Sequence, residues 1–436
     1  MSRPSFTIEV HQNEYLPRDG QIVDAIVTVT ATGEGLPAGG AGDGASTAQV
    51  IMVDCSGSMG YPVTKLSETI RATSTAIDTL REGVPFAVVA GTHEAYLAYP
   101  PRGDIALMVP ATAQTRAEAK AVVSRLRAEG GTAMSSWLEL AERLFASQPA
   151  EIKHAILLTD GKNESESAQD LQSVLDRCEG RFVCDSRGIG QGWIAEELMK
   201  ISSTLLGEAN GLEDPADLPA AFRAMTEAAM GKAVADVGLR VWTPAGATVR
   251  FVKQTYPQVE DLTARRTAVS GRVGDYPTGA WGAESRDYHL SVEVSSGSVG
   301  DELLAARVSL VSHDQKLAEK LVLATWTDDI ALSTKINPQV AHYTGQEEMA
   351  SLLRDGVAAM ESGDEETATA KLGRARKIAL ESGHTDTAKL VERVAEVVDE
   401  PSGTIRLKKK AEVDGGIEEI IKVRSVKTTR VKRQEK

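Results

Sequence analysis

Apolar and polar residues follow different periods along the chain, and each period predicts a different kind of structure. Residues 5–32 and about 233–335 carry short runs rich in β-branched residues separated by turns, which is typical of β-strands. Residues 48–231 alternate short apolar runs with segments whose apolar residues recur every three to four positions, which predicts strands followed by helices. Residues 344–399 carry helical stripes alone.

The strand–helix alternation predicts an α/β fold, with a doubly wound, mainly parallel sheet covered by helices on both faces. The segment that carries it, residues 48–231, has an ordinary length for one domain. Its strand candidates are Val50–Val53, Pro85–Ala90, Ile105–Val109, His154–Thr159 and Arg181–Ser186.

The later β-rich region predicts a β-sandwich, because it contains several short strands at regular spacing. The strands of residues 1–32 have no partners unless they join it. We therefore expect a discontinuous sandwich, residues 1–32 plus 233–335, with residues 48–231 inserted. Residues 33–47, rich in Gly and Ala, predict a flexible loop between the two. The later strand candidates are Val237–Trp242, Thr248–Gln254, Ala268–Val273, Tyr288–Val294, Ala305–Val311 and Lys320–Trp326.

The C-terminal part predicts a small helical bundle and a tail. The helical stripes of residues 344–399 are broken by Glu-Ser-Gly at 361–363 and at 381–383, which are helix stop signals. Residues 403–436 hold 11 Lys and Arg against 5 Asp and Glu, with few large apolar residues outside Ile417–Ile421. This composition predicts a flexible basic tail.

Bulk composition narrows the function classes. The net charge of −14 argues against non-specific nucleic-acid binding. The sequence has neither a signal-peptide core near its start nor an apolar run of about 18 residues, so we expect a cytoplasmic protein without membrane insertion. Three cysteines without such a signal indicate reduced thiols, and we expect Cys55 to be a small buried side chain.

Three loops place oxygen ligands where elements of this segment begin or end. Asp54, Ser56 and Ser58 follow the first apolar strand at alternate positions. Thr132 follows two glycines between two helices, and Asp160 ends a later apolar strand just before a glycine. Open α/β sheets bind ligands at the carboxyl ends of their strands. Taken alone, the first loop also fits a structural turn in which Ser58 caps a helix.

The three loops, in this order and within a strand–helix alternation, resemble the metal-ion-dependent adhesion site of von Willebrand factor type A (VWA) domains. The resemblance covers residues 48–231 and implies that an ion captures an Asp or Glu of a protein partner. Oxygen donors without His or Cys favour Mg²⁺, with Mn²⁺ or Ca²⁺ as alternatives. The residues that the resemblance assigns to the metal are Asp54, Ser56, Ser58, Thr132 and Asp160.

Enzyme motifs do not match, so we expect no enzyme. A haloacid-dehalogenase phosphatase requires Asp-x-Asp, but position 56 is Ser. The sequence contains neither a Gly-x-Ser-x-Gly nucleophile elbow nor a phosphate-binding P-loop. His154 is expected to be a structural histidine. Glu164 and Glu166, just after the last motif loop, form either a solvated helix start or a group that repels acidic ligands or holds a water.

A VWA-like domain within a sandwich resembles bacterial signalling proteins associated with Ser/Thr kinases and forkhead-associated domains. This resemblance implies an intracellular scaffold or adaptor. The alternative is an accessory subunit of an AAA-type ATPase machine. In the tail, Thr428 and Thr429 lie among basic residues, which fits either a plain exposed tail or a phosphorylation site for a phosphothreonine-reading domain.

Overall fold

The computed structural model describes residues 4–33, 46–101, 107–400, 402–409 and 413–430. Most of the predicted loop 33–47, the beginning of the predicted strand Ile105–Val109 and the last six residues of the tail lie outside the described residues. Within the described ranges, no helix has both the length and the apolar character needed to cross a membrane.

The chain divides into two compact units, which are described separately. The parallel-sheet unit comprises Gly35–Ala235 and Gly415–Val423. The sandwich unit comprises Ser2–Glu34, Asp236–Asp414 and Arg424–Lys436. Three strands of the sandwich unit begin the chain: β1 (Ser5–Gln12), β2 (Tyr15–Pro17) and β3 (Ile22–Thr32).

The parallel-sheet unit contains one sheet in the order β10-β9-β8-β4-β5-β6, with β7 also paired to β5. The strands from β10 to β5 are parallel, whereas β6 and β7 run antiparallel to β5. The strands are β4 (Thr47–Asp54), β5 (Pro85–Gly91), β6 (Ala95–Tyr99), β7 (Val109–Pro110), β8 (Ile152–Thr159), β9 (Val183–Ile189) and β10 (Ala209–Leu212). The helices are α1 (Thr64–Thr79), α2 (Ala113–Val123), α3 (Met134–Ala146), α4 (Ala168–Cys178), α5 (Ala195–Thr204) and α6 (Leu218–Met230).

Strand β4 lies in the middle of this sheet and is buried along its whole length. Its continuous apolar run suits a strand covered on both faces. Ile51 and Val53 pack in one core cluster with apolar residues of α1 and α6, such as Ile77 and Phe222. The parallel register places the carboxyl end of β4 beside those of β5 and β8.

The sandwich unit contains a five-stranded sheet, β1-β3-β16-β12-β13, and a six-stranded sheet, β14-β15-β11-β17-β18-β2. The N-terminal strands thus pair with strands that follow the parallel-sheet segment, and the predicted fold class is confirmed. Phe6 and Trp281, one from each sheet, pack edge to face. The later strands are β11 (Val234–Trp242), β12 (Thr248–Tyr256), β13 (Glu260–Asp261), β14 (Thr267–Ser270), β15 (Val273–Trp281), β16 (Ser285–Glu293), β17 (Glu302–Ser312) and β18 (Gln315–Thr327).

One predicted strand of the sandwich is wrong. Ala268–Val273 is not continuous, because β14 ends at Ser270 and β15 begins at Val273. The two strands pair antiparallel across a turn at Gly271. A glycine between two valines, as in this segment, marks a turn as readily as a strand interior, so the pattern alone did not distinguish them.

The helical region contains α7 (Ile330–Ser333), α8 (Pro338–Ser362), α9 (Glu365–Glu381) and α10 (Thr385–Val394). The glycines of both predicted breaks, Gly363 and Gly383, have φ near +81°. The expected third helix ends early, because residues 395–399 form β19 (Ala395–Asp399), which pairs with β20 (Thr404–Leu407). Val397 and Val398 are β-branched, and in this short apolar run strand pairing overrides the helical period.

The flexible tail predicted for residues 403–436 is wrong for much of its length. Besides β20, it contains α11 (Ile417–Ser425), most of which belongs to the parallel-sheet unit. Four apolar residues of α11 are buried: Ile417, Ile420, Ile421 and Val423. Ordering this segment costs conformational entropy, and its charged composition predicted too little apolar burial to offset that cost. The burial of these four side chains supplies the offset.

Candidate metal centre

Asp54 is the last residue of β4 and is fully buried. Its Oδ1 accepts a hydrogen bond from Ser56 N at 2.7 Å, and its Oδ2 accepts one from Thr159 Oγ1 at 2.6 Å. Burial raises the pKa of Asp54 to about 6, and these hydrogen bonds offset only part of that effect. No ion pair joins Asp54 to a cationic side chain of the described residues, so hydrogen bonds from Thr159 and Ser56 compensate its buried charge.

The two serines of the first loop lie beside each other. Ser56 precedes a short 3₁₀-helix, Gly57–Gly60, and its Oγ lies 3.0 Å from Ser58 Oγ. Ser58 Oγ donates to Asp160 Oδ1 at 2.6 Å. The first loop and the last loop of the predicted site are thus in direct contact, although about a hundred residues separate them.

Thr132 reaches the same place from the loop between α2 and α3. Gly57 N donates to the carbonyl of Gly130 at 2.9 Å, which joins this loop to the first. A methyl group built on Gly161 would lie 3.3 Å from Ser58 Oγ and 3.5 Å from Thr132 Oγ1. Both hydroxyls therefore lie close to Gly161, and a larger residue there would press on the hydroxyl of Ser58.

Asp160 follows β8 and is buried, and both of its carboxylate oxygens have partners. In addition to the bond from Ser58, Oδ2 accepts one from Lys65 Nζ at 2.6 Å. Gly161 N donates to Thr159 Oγ1 at 3.1 Å, so Thr159 connects the backbone after Asp160 to Asp54. The structure thus brings together all five predicted site residues.

Two contacting residues, Thr159 and Lys65, were not expected from the sequence. Thr159 is the last residue of an apolar strand, and Lys65 occupies the first turn of α1, where nothing in the local pattern points to a site. Thr159 directly precedes Asp160, and that position was the single signal that could have revealed it.

The loop after Asp160 supports the threonine loop. Thr132 N donates to Ser165 Oγ at 3.1 Å, and Met134 N donates to Asn163 Oδ1 at 2.9 Å. Glu166 accepts from Ser135 N at 2.9 Å, so it holds the beginning of α3, where a carboxylate also interacts favourably with the helix dipole. Glu164 is exposed.

His154 and Cys55 have structural surroundings. The ring nitrogens of His154 lie 3.0 Å from Gln49 Oε1 and 3.0 Å from Asp185 Oδ2. Cys55 is buried, and burial raises the pKa of its thiol to about 12, so the thiol stays protonated at neutral pH.

The chemistry of the donors fits a hard divalent cation. Three hydroxyls and two carboxylates converge, and these are the oxygen ligands that Mg²⁺ takes in proteins. The described chain contains no group of three or more His, Cys, Asp or Glu residues that could hold a metal. An ion between these loops would therefore need the serine and threonine hydroxyls in addition to the two carboxylates.

Comparison with known proteins identifies the family of the chain. A model of the von Willebrand factor type A domain matches residues 48–210, and a model of a von Willebrand factor type A C-terminal domain matches residues 377–415. No curated protein matched.

Two solved structures resemble the whole chain. A von Willebrand factor type A protein from Catenulispora acidiphila is 49% identical, with a TM-score of 0.91, and the match covers 98% of both chains. The ArnB paralog VWA2 from Sulfolobus acidocaldarius is 13% identical, with a TM-score of 0.55 over 97% of this chain and 100% of that one, and it shares the fold alone. With a half-identical relative matched over almost its full length, the chain belongs to the von Willebrand factor type A family.

Proposed function

We propose that the protein is a non-catalytic scaffold that captures a carboxylate of a partner protein through a Mg²⁺ ion. VWA proteins generally mediate protein–protein interactions. The observation that carries the proposal is the convergence of oxygens from Asp54, Ser56, Ser58, Thr132 and Asp160 at one end of the sheet.

In this proposal the five residues hold the ion, and the bound ion supplies a Lewis-acidic position for an outside oxygen. The three hydroxyls are neutral, so the two aspartates contribute the whole negative charge of the ligand set. Mg²⁺ takes six oxygen ligands, so five protein oxygens leave one position for water or for a partner's Asp or Glu. Mn²⁺ and Ca²⁺ prefer similar oxygen donors and are the alternatives.

An affinity pull-down with the full chain tests the proposal. We expect specific partners to be retained with Mg²⁺ and released by EDTA, and to be lost with the variant Asp54→Ala. The matched control is Asp78→Ala, which removes an exposed carboxylate of the same unit that pairs with Lys120. Capture that is equal with Mg²⁺, with EDTA and with Asp54→Ala would contradict the proposal.

We place this scaffold inside a bacterial cell, in Ser/Thr kinase signalling, with a phosphothreonine-reading domain as a second partner. Thr428 Oγ1 donates to the carbonyl of Thr255 at 2.5 Å, and the exposed Thr429 has its Oγ1 3.0 Å from His384 Nε2, so modification of either threonine requires release of its hydroxyl. Mass spectrometry of the protein from its host should find phosphate on one of these threonines. Unmodified Thr428 and Thr429 under all growth conditions would remove this part of the proposal.

The alternative, an accessory subunit of an AAA-type ATPase, makes a different prediction for the same pull-down. The retained protein would then be an ATPase, and adding the full chain would change its turnover.

A further inference from the structure

Lys65 forms an ion pair inside the candidate metal centre. Its Nζ lies 2.6 Å from Asp160 Oδ2, with 15% of the lysine side chain and none of the aspartate side chain exposed. Since Ser58 already donates to Oδ1, the chain's own donors engage both oxygens of Asp160. Lys65 is therefore a unit positive charge at the place where the proposed ion needs negative charge.

The position of Lys65 is confined by its surroundings. Its backbone N–H donates to the carbonyl of Pro62 at 2.9 Å, at the beginning of α1. A methyl group built on Gly190 would lie 3.3 Å from Lys65 Cε, so the lysine stem runs along the glycine that follows β9. The ammonium group is thus directed at Asp160 and does not extend into solvent.

We propose that Lys65 is a specificity-determining residue of this centre, a tethered cation that competes with the divalent ion for Asp160 and so limits its affinity. This inference rests on the ion site of the proposed function. Asp54 and Asp160 carry two negative charges, and Lys65 carries one positive charge. The side chains around the proposed ion therefore have a net charge of −1. At a largely buried site, water screens the repulsion between Lys65 and the ion only weakly.

The second consequence concerns the partner. An ion that shares its carboxylates with a lysine keeps more of its positive charge, and so it attracts a further carboxylate more strongly. Such a centre binds the ion weakly on its own and attracts an outside anion strongly. It therefore suits the capture of a partner, because the partner's carboxylate and the ion then stabilise each other.

Isothermal titration of the full chain with Mn²⁺ tests the inference in the wild type and in the neutral variants Lys65→Met and Lys65→Gln. We expect both variants to bind Mn²⁺ about tenfold more tightly than the wild type, because a nearby like charge is gone. Lys65→Arg keeps the charge and should bind close to the wild-type affinity. The matched control is Lys120→Met, which removes an exposed Lys–Asp pair of the same unit and should change nothing.

The outcomes separate this inference from the function on which it rests. Wild-type binding with an unchanged or weaker affinity in both neutral variants would overturn the role of Lys65 and leave the ion site standing. Failure of all variants and of the wild type to bind Mn²⁺ would overturn the ion site and this inference together. Binding in the neutral variants alone, with thermal unfolding showing that every variant is folded, would support Lys65 as the competing cation.

Discussion

Thr159 orients the carboxylate of Asp54. Its hydroxyl donates to Asp54 Oδ2 at 2.6 Å and accepts from Gly161 N at 3.1 Å, so one side chain connects the first and the last loop of the site. The sequence pattern identifies Asp54 and Asp160 because their residue types recur at strand ends. It does not identify Thr159 or Lys65, because their role comes from contacts across about a hundred residues of chain that only the folded sheet creates.

The variant Thr159→Val should bind Mn²⁺ about 10- to 100-fold more weakly than the wild type, as expected when a residue that orients a metal ligand is lost. Valine keeps the shape of the side chain and removes only the hydroxyl. Thr159→Ser restores the donor and should recover most of the affinity. Electron paramagnetic resonance of free Mn²⁺ during titration measures the Mn²⁺ affinity of both variants. Wild-type affinity in the valine variant would contradict this role for Thr159.

At the scale of elements, parallel pairing explains why the proximity of the motif loops could be predicted. Apolar runs identified β4 and β8, and their parallel register brings the loops after them together. The short strands β6 and β10 were not predicted, since four or five residues carry too little pattern to be recognised. The sheet also contains polar pairs whose contribution to stability cannot be read from the sequence pattern, such as Asp185 of β9 and His154 of β8.

Asp185 should stabilise the parallel-sheet unit in a pH-dependent way. Burial by itself raises the pKa of Asp185, but His154, Arg187 and the backbone N–H of Glu208 outweigh burial and hold the pKa well below 3.8. A lowered folded-state pKa contributes stability that is present above the unfolded value and is lost as the pH falls. Asp185→Asn should therefore cost about 2 kcal/mol of unfolding free energy at pH 7, and about 1 kcal/mol less at pH 3.

Scanning calorimetry of the full chain at the two pH values measures this difference. The control is Asp176→Asn on α4, an exposed residue whose replacement should change stability little at either pH. A stability difference for Asp185→Asn that stays constant or grows between pH 7 and pH 3 would contradict the argument.

At the scale of the whole molecule, the C-terminal segment is the part that the sequence predicted least well. Its basic composition is that of a solvated tail, but composition does not show which acidic groups the fold presents to it. In the sandwich unit, Arg430 donates to both carboxylate oxygens of the buried Asp287, at 3.1 and 2.9 Å, and lies over the ring of Tyr256. The insertion of one domain into another could be predicted, because unpaired N-terminal strands need partners.

Arg430→Ala should destabilise the sandwich unit by about 2 kcal/mol, because it leaves the buried carboxylate of Asp287 without its cation. Hydrogen exchange of peptides from β16, read by mass spectrometry, reports the local change. Arg354→Ala on α8 removes an exposed arginine of the same unit and should cost less than about 0.5 kcal/mol. Equal exchange in the wild type and in Arg430→Ala would show that the segment contributes nothing there.

The proposed function requires that five oxygen-bearing side chains hold one divalent ion. Anomalous diffraction at the manganese edge, from crystals of the full chain grown with Mn²⁺, locates such an ion. We expect one strong anomalous peak within ligand distance of the hydroxyls of Ser56 and Ser58, absent from crystals of Asp54→Ala. A peak at another place on the chain, or no peak between these loops at saturating Mn²⁺, would contradict it.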